Sequence, residues 1–309
     1  MLFLFYSVAR QLGKQPHWQD SLHQMLQAAL GEYRWKLYFM FGLMIVNWAL
    51  ESFKWQIALK PVQSIHFLRA FKAVLAGTCI ASFTPNRVGE YLGRMLFVNP
   101  GNKILSIAPT ILCSMSQMLI TLIAGTAGIY MFSSLPYYFE VSWITPAFFK
   151  AAGVAVAAVA IGLGLVYFRV DPLVRRVNKW IRKNNSPISI PDNFQLTTLR
   201  RILLIAVVRY GVFLLQYYLL FSLFGIPLSL QQVFTGVSVM FVLMTIVPTL
   251  TFLTDLGFRW LAGIQIFQVY TMNTAGILAV SLGVWLINLI IPALVGSLLI
   301  LRIKLFQSK

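Results

Sequence analysis

Charge is what this sequence has least of. Asp, Glu, Lys and Arg make up 11% of its 309 residues, and hydrophobic residues make up 59%. A soluble domain carries about a quarter charged residues, so an ordinary soluble fold is excluded. The two cysteines, Cys79 and Cys113, both lie in apolar runs, which excludes a disulfide framework. The three histidines, His17, His23 and His66, show no metal-ligand spacing, and neither a metal nor another cofactor is expected. No G-x-x-x-x-G-K-[ST] phosphate loop occurs, so ATP is not the expected energy source. Acidic side chains are the scarcest: 8 against 25 basic ones, a net charge of +17. In a soluble chain that balance would point to nucleic acid. Here the cations lie mostly in loops, so they read as topology signals and contacts to anionic lipid headgroups, and no nucleic-acid partner is expected.

What is abundant is long apolar sequence. Runs lie at about 36–58, 65–82, 104–131, 143–168, 200–225, 229–248, 258–272 and 274–302, with a partial one at 1–9. Several reach the roughly 20 residues that cross a bilayer. They are continuous rather than alternating, so helices are predicted and a barrel is not. The expectation is an all-α polytopic membrane protein of about eight transmembrane or re-entrant helices. It forms a single transmembrane domain over 1–309, in halves of about 1–142 and 143–309. MLFLFYSVARQLGK reads as the tail of a first membrane helix rather than a signal peptide, so the natural start is expected further upstream.

The longest polar stretch, about 169–199, reads as a loop with an amphipathic helix at 172–183, closed by Pro187 and Pro191. Together with Arg200 and Arg201 at its edge it holds eight cations against Asp171 and Asp192, which places it in the cytoplasm. The C-terminal tail LRIKLFQSK follows it there, whereas 132–142, with only Glu140, fits the outside. The predicted location is the cell inner membrane, multi-pass, with a cytoplasmic C-terminus.

Two interruptions break the apolar pattern, one per half: TPNRVGEYLGR at 84–94 and VPTLTFLTDLGFRW at 247–260. Paired breaks of this kind point to a transporter-like site. In the first, Thr84 reads as an N-cap and Pro85 as the first helical residue. That spacing puts Arg87, Glu90 and Arg94 on one helical face. In the second, Asp255 and Arg259 are four residues apart, and Thr254 reads as the cap of a helix starting at Asp255. A third element, NWALESFKW, puts Asn47, Glu51 and Lys54 on one face. A charge at bilayer depth costs on the order of 3 kcal/mol or more, so Glu51, Glu90 and Asp255 are candidates for function. Arginines beside a helix N-terminus suit a phosphate. The bland alternative is that Arg87, Arg94 and Lys54 mark membrane edges and snorkel. Gln117, Gln216 and Asn288 read as interhelical hydrogen-bonding groups; the role of Arg209 is open. Trp48, Trp55 and Tyr91 lie close to the charged groups in sequence but read as interfacial aromatics.

AGTCIASFTPNRVGEYLGR resembles a motif of the lysylphosphatidylglycerol synthase transmembrane (flippase-like) family, met here by Pro85, Arg87, Gly89, Glu90 and Arg94. FKW at 53–55 is similar to that family's basic-Trp signature, and VPTLTFLTDLGFRW to its second-half motif, although Leu256-Gly257 keeps only one of the usual glycines. The resemblance implies an eight-helix-type domain with two inwardly dipping segments, working on phospholipid. In its best-understood members the domain is fused to an aminoacyl-transferase; none lies in these 309 residues, so a translocator rather than a synthase is expected.

The functional expectation is a non-enzymatic flippase moving a phosphate-bearing lipid between leaflets. Arg87, Arg94 and Arg259 would hold the phosphate, and Glu51, Glu90, Asp255 and Lys54 would pair with them or meet the headgroup. Membrane phospholipids with anionic headgroups are the expected partners; a homodimer and a separate lipid-modifying enzyme are left open. The rivals are an enzyme acting on a lipid headgroup, with Glu90 or Asp255 as base, and a non-transporting partner subunit.

Overall fold

The computed structural model describes residues 31, 34–135, 145–170, 194–247 and 252–307, the last without side chains at 252, 253 and beyond 301. The expected segment at 1–9, the amphipathic helix at 172–183 and the core of the loop at 132–142 lie outside the described residues. The described residues are helical and contain no strand. The elements are α1 (Arg34–Leu59), α2 (Phe67–Ala81), α3 (Gly89–Met95), α4 (Ile107–Ser133), α5 (Pro146–Phe168), α6 (Leu196–Leu223), α7 (Leu230–Ile246), α8 (Phe252–Phe267), α9 (Thr274–Trp285) and α10 (Ile291–Gln307). Ile104–Ser133, Pro146–Phe168, Leu196–Leu223 and Thr274–Leu301 are long and apolar enough to cross a membrane. The 26 residues of α1 rise about 39 Å at ~1.5 Å each, but Glu51 and Lys54 interrupt its apolar surface. The chain is thus an all-α, multi-pass membrane protein.

Several buried hydroxyls are tolerated in these apolar helices because they turn back on their own backbone. Ser52 donates to the Trp48 carbonyl at 2.7 Å, Thr78 to Val74 at 3.0 Å and Thr110 to Ser106 at 2.9 Å. Local sequence also sets the ends. Ser229 and Gln232 form a reciprocal capping box that starts α7, and Asn273 caps α9 by accepting from the Gly276 N–H at 2.9 Å. Between α9 and α10 lies one π-helical turn, Leu286–Ile290. Pro292 follows it; having no N–H, it could not bond the Asn288 carbonyl in a regular α-helix.

Contacts divide the chain into two compact units. Unit one takes residues 1–45, 121–157 and 211–291. Its core is apolar, with Met40, Tyr217, Phe221, Val237, Met240 and Phe267 almost wholly buried. Unit two takes 46–120, 158–210 and 292–309. It contains the α2–α3 hairpin, Trp55 bonded to Thr110 at 3.0 Å, and Tyr167 bonded to the Leu199 carbonyl at 2.9 Å.

Three expected boundaries are corrected. α6 begins at Leu196, inside the stretch read as loop to residue 199, because TTLRR continues the helical run. The segment expected at 258–272 is helical over Phe252–Phe267, so Thr254 and Asp255 sit in its first turn and neither is its start. Pro85 does not begin a helix: Pro85–Arg87 form a single tight turn in which Asn86 (φ 50°) and Arg87 (φ 58°) adopt left-handed backbone, and α3 starts only at Gly89.

Candidate functional site

The first interruption folds as an antiparallel helical hairpin. α2 has 15 residues and α3 has 7, about 22 Å and 10 Å at ~1.5 Å per residue. Neither crosses a hydrocarbon core of about 30 Å, so the pair reads as re-entrant. The Thr84 hydroxyl splices it. It donates to the Ile80 carbonyl at 3.2 Å and accepts from the Gly89 N–H at 2.7 Å. Thr84 makes no side-chain cap at Pro85 and the N-cap position of α3 is Val88, but its hydroxyl still holds the first N–H of that helix from five residues upstream. Glycine lets the helices touch: a Cβ on Gly89 would lie 2.6 Å from the Ile80 backbone.

This hairpin carries Arg94 into the interior of unit two. Its side chain is 1% exposed, and Nη2 donates to Glu51 Oε1 at 2.9 Å and to Glu90 Oε1. The guanidinium lies 5.5 Å from the Trp55 ring centroid, a cation–π distance. Gly77 makes room for it, because a Cβ there would be 3.2 Å from Arg94 Cγ.

Glu51, on α1, is the hub. Its carboxylate also meets Lys54 Nζ at 2.8 Å and Arg209 Nη1. Lys54 donates further to the Cys113 carbonyl at 3.2 Å. Arg209, on α6, donates from Nε to Asn47 at 2.9 Å and from Nη1 to Gln117 at 3.1 Å. Four elements, α1, α3, α4 and α6, thus converge on one polar cluster. Its three buried cations face two carboxylates, Glu51 and Glu90. Snorkelling is overturned for Arg94 and Lys54, which are buried and paired. Arg87 is different: it is half exposed, 3.9 Å from Glu90. Because the turn at 85–87 is left-handed, it does not share a helical face with Arg94, as the spacing had predicted.

The second interruption lies in unit one. Asp255 and Arg259 pair at 3.4 Å, and Arg259 Nη1 donates to the Tyr217 hydroxyl at 2.9 Å. Asn288, in the π turn, donates to Gln216 at 3.0 Å, as the interhelical reading expects.

The sequence alone left Arg209 undecided and did not find its partners. The available signal was a lone cation midway along a 28-residue apolar helix. Among the described residues no group of three or more His, Cys, Asp or Glu could hold a metal ion.

The family model of the lysylphosphatidylglycerol synthase TM region matches residues 3–296. The chain belongs to that family. No curated protein and no solved structure matches it. Membership covers both interruptions and makes this a lipid-related membrane domain.

Proposed function

We propose that this member of the family is a lipid translocator, carrying a phosphate-bearing lipid between leaflets without chemistry on the lipid. The observation that supports this is the cluster around Glu51: charged side chains from three helices, α1, α3 and α6, gathered inside an apolar protein, with one cation in excess. A purely structural ion-pair network needs no surplus. A surplus cation in a low-dielectric site favours an anionic guest, and arginine matches a phosphate in shape. Glu90 and Arg87 continue the polar path towards the exposed turn at 85–87.

The test is translocation in proteoliposomes. Fluorescent lipids with anionic, zwitterionic and aminoacylated headgroups are followed by their accessibility to an external quencher. Wild-type protein is expected to exchange an anionic lipid faster than protein-free vesicles, and Arg94→Gln to abolish the gain. Folded wild-type protein that exchanges no lipid above background overturns the proposal.

A further inference from the structure

Arg94 has more donors than acceptors. Its Nη2 serves both Glu51 and Glu90, while Nε and Nη1 are buried with no acceptor among the described residues. Buried donors are normally satisfied, and each one left without an acceptor is costly. The side chain is also held too firmly to turn away: Trp55 lies over it, Gly77 lies against its stem and Glu51 is fixed by two further cations.

The two carboxylates on Arg94 are not equivalent. Glu51 is buried among Lys54, Arg94 and Arg209, and moving it would leave Lys54 and Arg209 without a carboxylate. Glu90 lies nearer the surface, its side chain 19% exposed, between buried Arg94 and half-exposed Arg87. It can leave Arg94 and keep a cationic partner. Resting on the translocator reading, we infer that Arg94 is an anion subsite whose resting occupant is Glu90, and that an incoming phosphate displaces that carboxylate towards Arg87. The guest is a phosphate monoanion. It would accept from Nη2 and from one of the two other nitrogens, Nε or Nη1, that now lack an acceptor. Glu90 is then a positioning residue: it neutralises the subsite when empty and sets how readily a phosphate enters.

Binding to purified full-length protein in detergent tests this by calorimetry. The probes are inorganic phosphate, dihexanoyl phosphatidylglycerol, and dihexanoylglycerol, which lacks phosphate. Glu90→Gln removes the competing charge and leaves Arg94 paired to Glu51. It is expected to bind the phospholipid about ten-fold or more tightly than wild type, the worth of one charge-assisted hydrogen bond. Glu90→Asp, with its shorter reach, is expected to fall between them, and it supplies the answer should Glu90→Gln not fold. The double variant Glu90→Gln/Arg94→Gln is expected to lose the whole gain, and dihexanoylglycerol to show none. Inorganic phosphate gaining as much as the phospholipid assigns the subsite to the free anion, whereas a gain confined to the phospholipid assigns it to a headgroup. Unchanged or weaker binding in the Glu90 variants, or a gain that survives loss of Arg94, overturns the inference. Translocation separates this result from the parent reading. Tighter binding with no transport keeps the subsite and removes the translocator, and transport with no change in binding does the reverse.

Discussion

Gly93 of α3 lies against Gly77 of α2 so closely that a Cβ on Gly93 would sit 2.4 Å from the Gly77 Cα. No side-chain rearrangement relieves a contact with backbone, so the hairpin itself must open. Gly93→Ala is expected to destabilise the protein by about 1–3 kcal/mol, the usual cost of overpacking, and to displace the adjacent Arg94. Thermal unfolding in detergent checks this against Gly42→Ala. Gly42 is an exposed position in α1 with nothing within 4 Å of the added methyl, where no loss is expected.

Neutralising the hub should cost more than neutralising the rim. Glu51→Gln leaves Lys54 and Arg209 without their shared carboxylate inside the protein. Removing one partner of a buried pair typically costs ~3–5 kcal/mol. Glu90→Gln leaves Arg94 its bond to Glu51 and Arg87 half exposed, so it is expected to cost less, about 1.5–3 kcal/mol at most, the worth of a hydrogen bond to a charged group. Equal losses in the unfolding midpoints of the two variants would contradict this ordering.

The sequence carried the helices better than the site. Long apolar runs announce themselves, because lipid leaves the backbone no alternative to helix. Glu51–Lys54, Glu90–Arg94 and Asp255–Arg259 were legible because helical spacing alone brings them together. The left-handed turn at Asn86–Arg87 was not, since neither residue is a glycine and Pro85 reads locally as a helix start. Nor was the meeting of Glu51 with Arg94 and Arg209, which lie 43 and 158 residues away. Spacing within one helix carries no information about which helix packs beside it.

In unit one the Asn288–Gln216 bond joins a π turn to a neighbouring helix, and Gln216 Nε2 is buried without an acceptor among the described residues. Polar pairs between membrane helices are modest, averaging about 0.6 kcal/mol in double-mutant cycles. A cycle of Asn288→Ala and Gln216→Ala is expected to give a coupling of that size. A coupling well above ~2 kcal/mol would show that the pair does more than tie two helices together.

Arg209 allows charge to be separated from shape. It reaches Glu51, Asn47 and Gln117 through two different nitrogens of one planar group, and the single ammonium of lysine cannot match that geometry. Arg209→Lys should therefore lower stability by about 1–3 kcal/mol through the acceptors it leaves unserved, yet it preserves the cluster's one-cation surplus. Arg209→Gln removes the surplus as well. If that surplus selects the lipid, the ratio of anionic to zwitterionic lipid translocated in proteoliposomes should be unchanged in Arg209→Lys and should fall towards unity in Arg209→Gln. Loss of the preference in both variants would mean that the arrangement of donors, rather than net charge, chooses the headgroup.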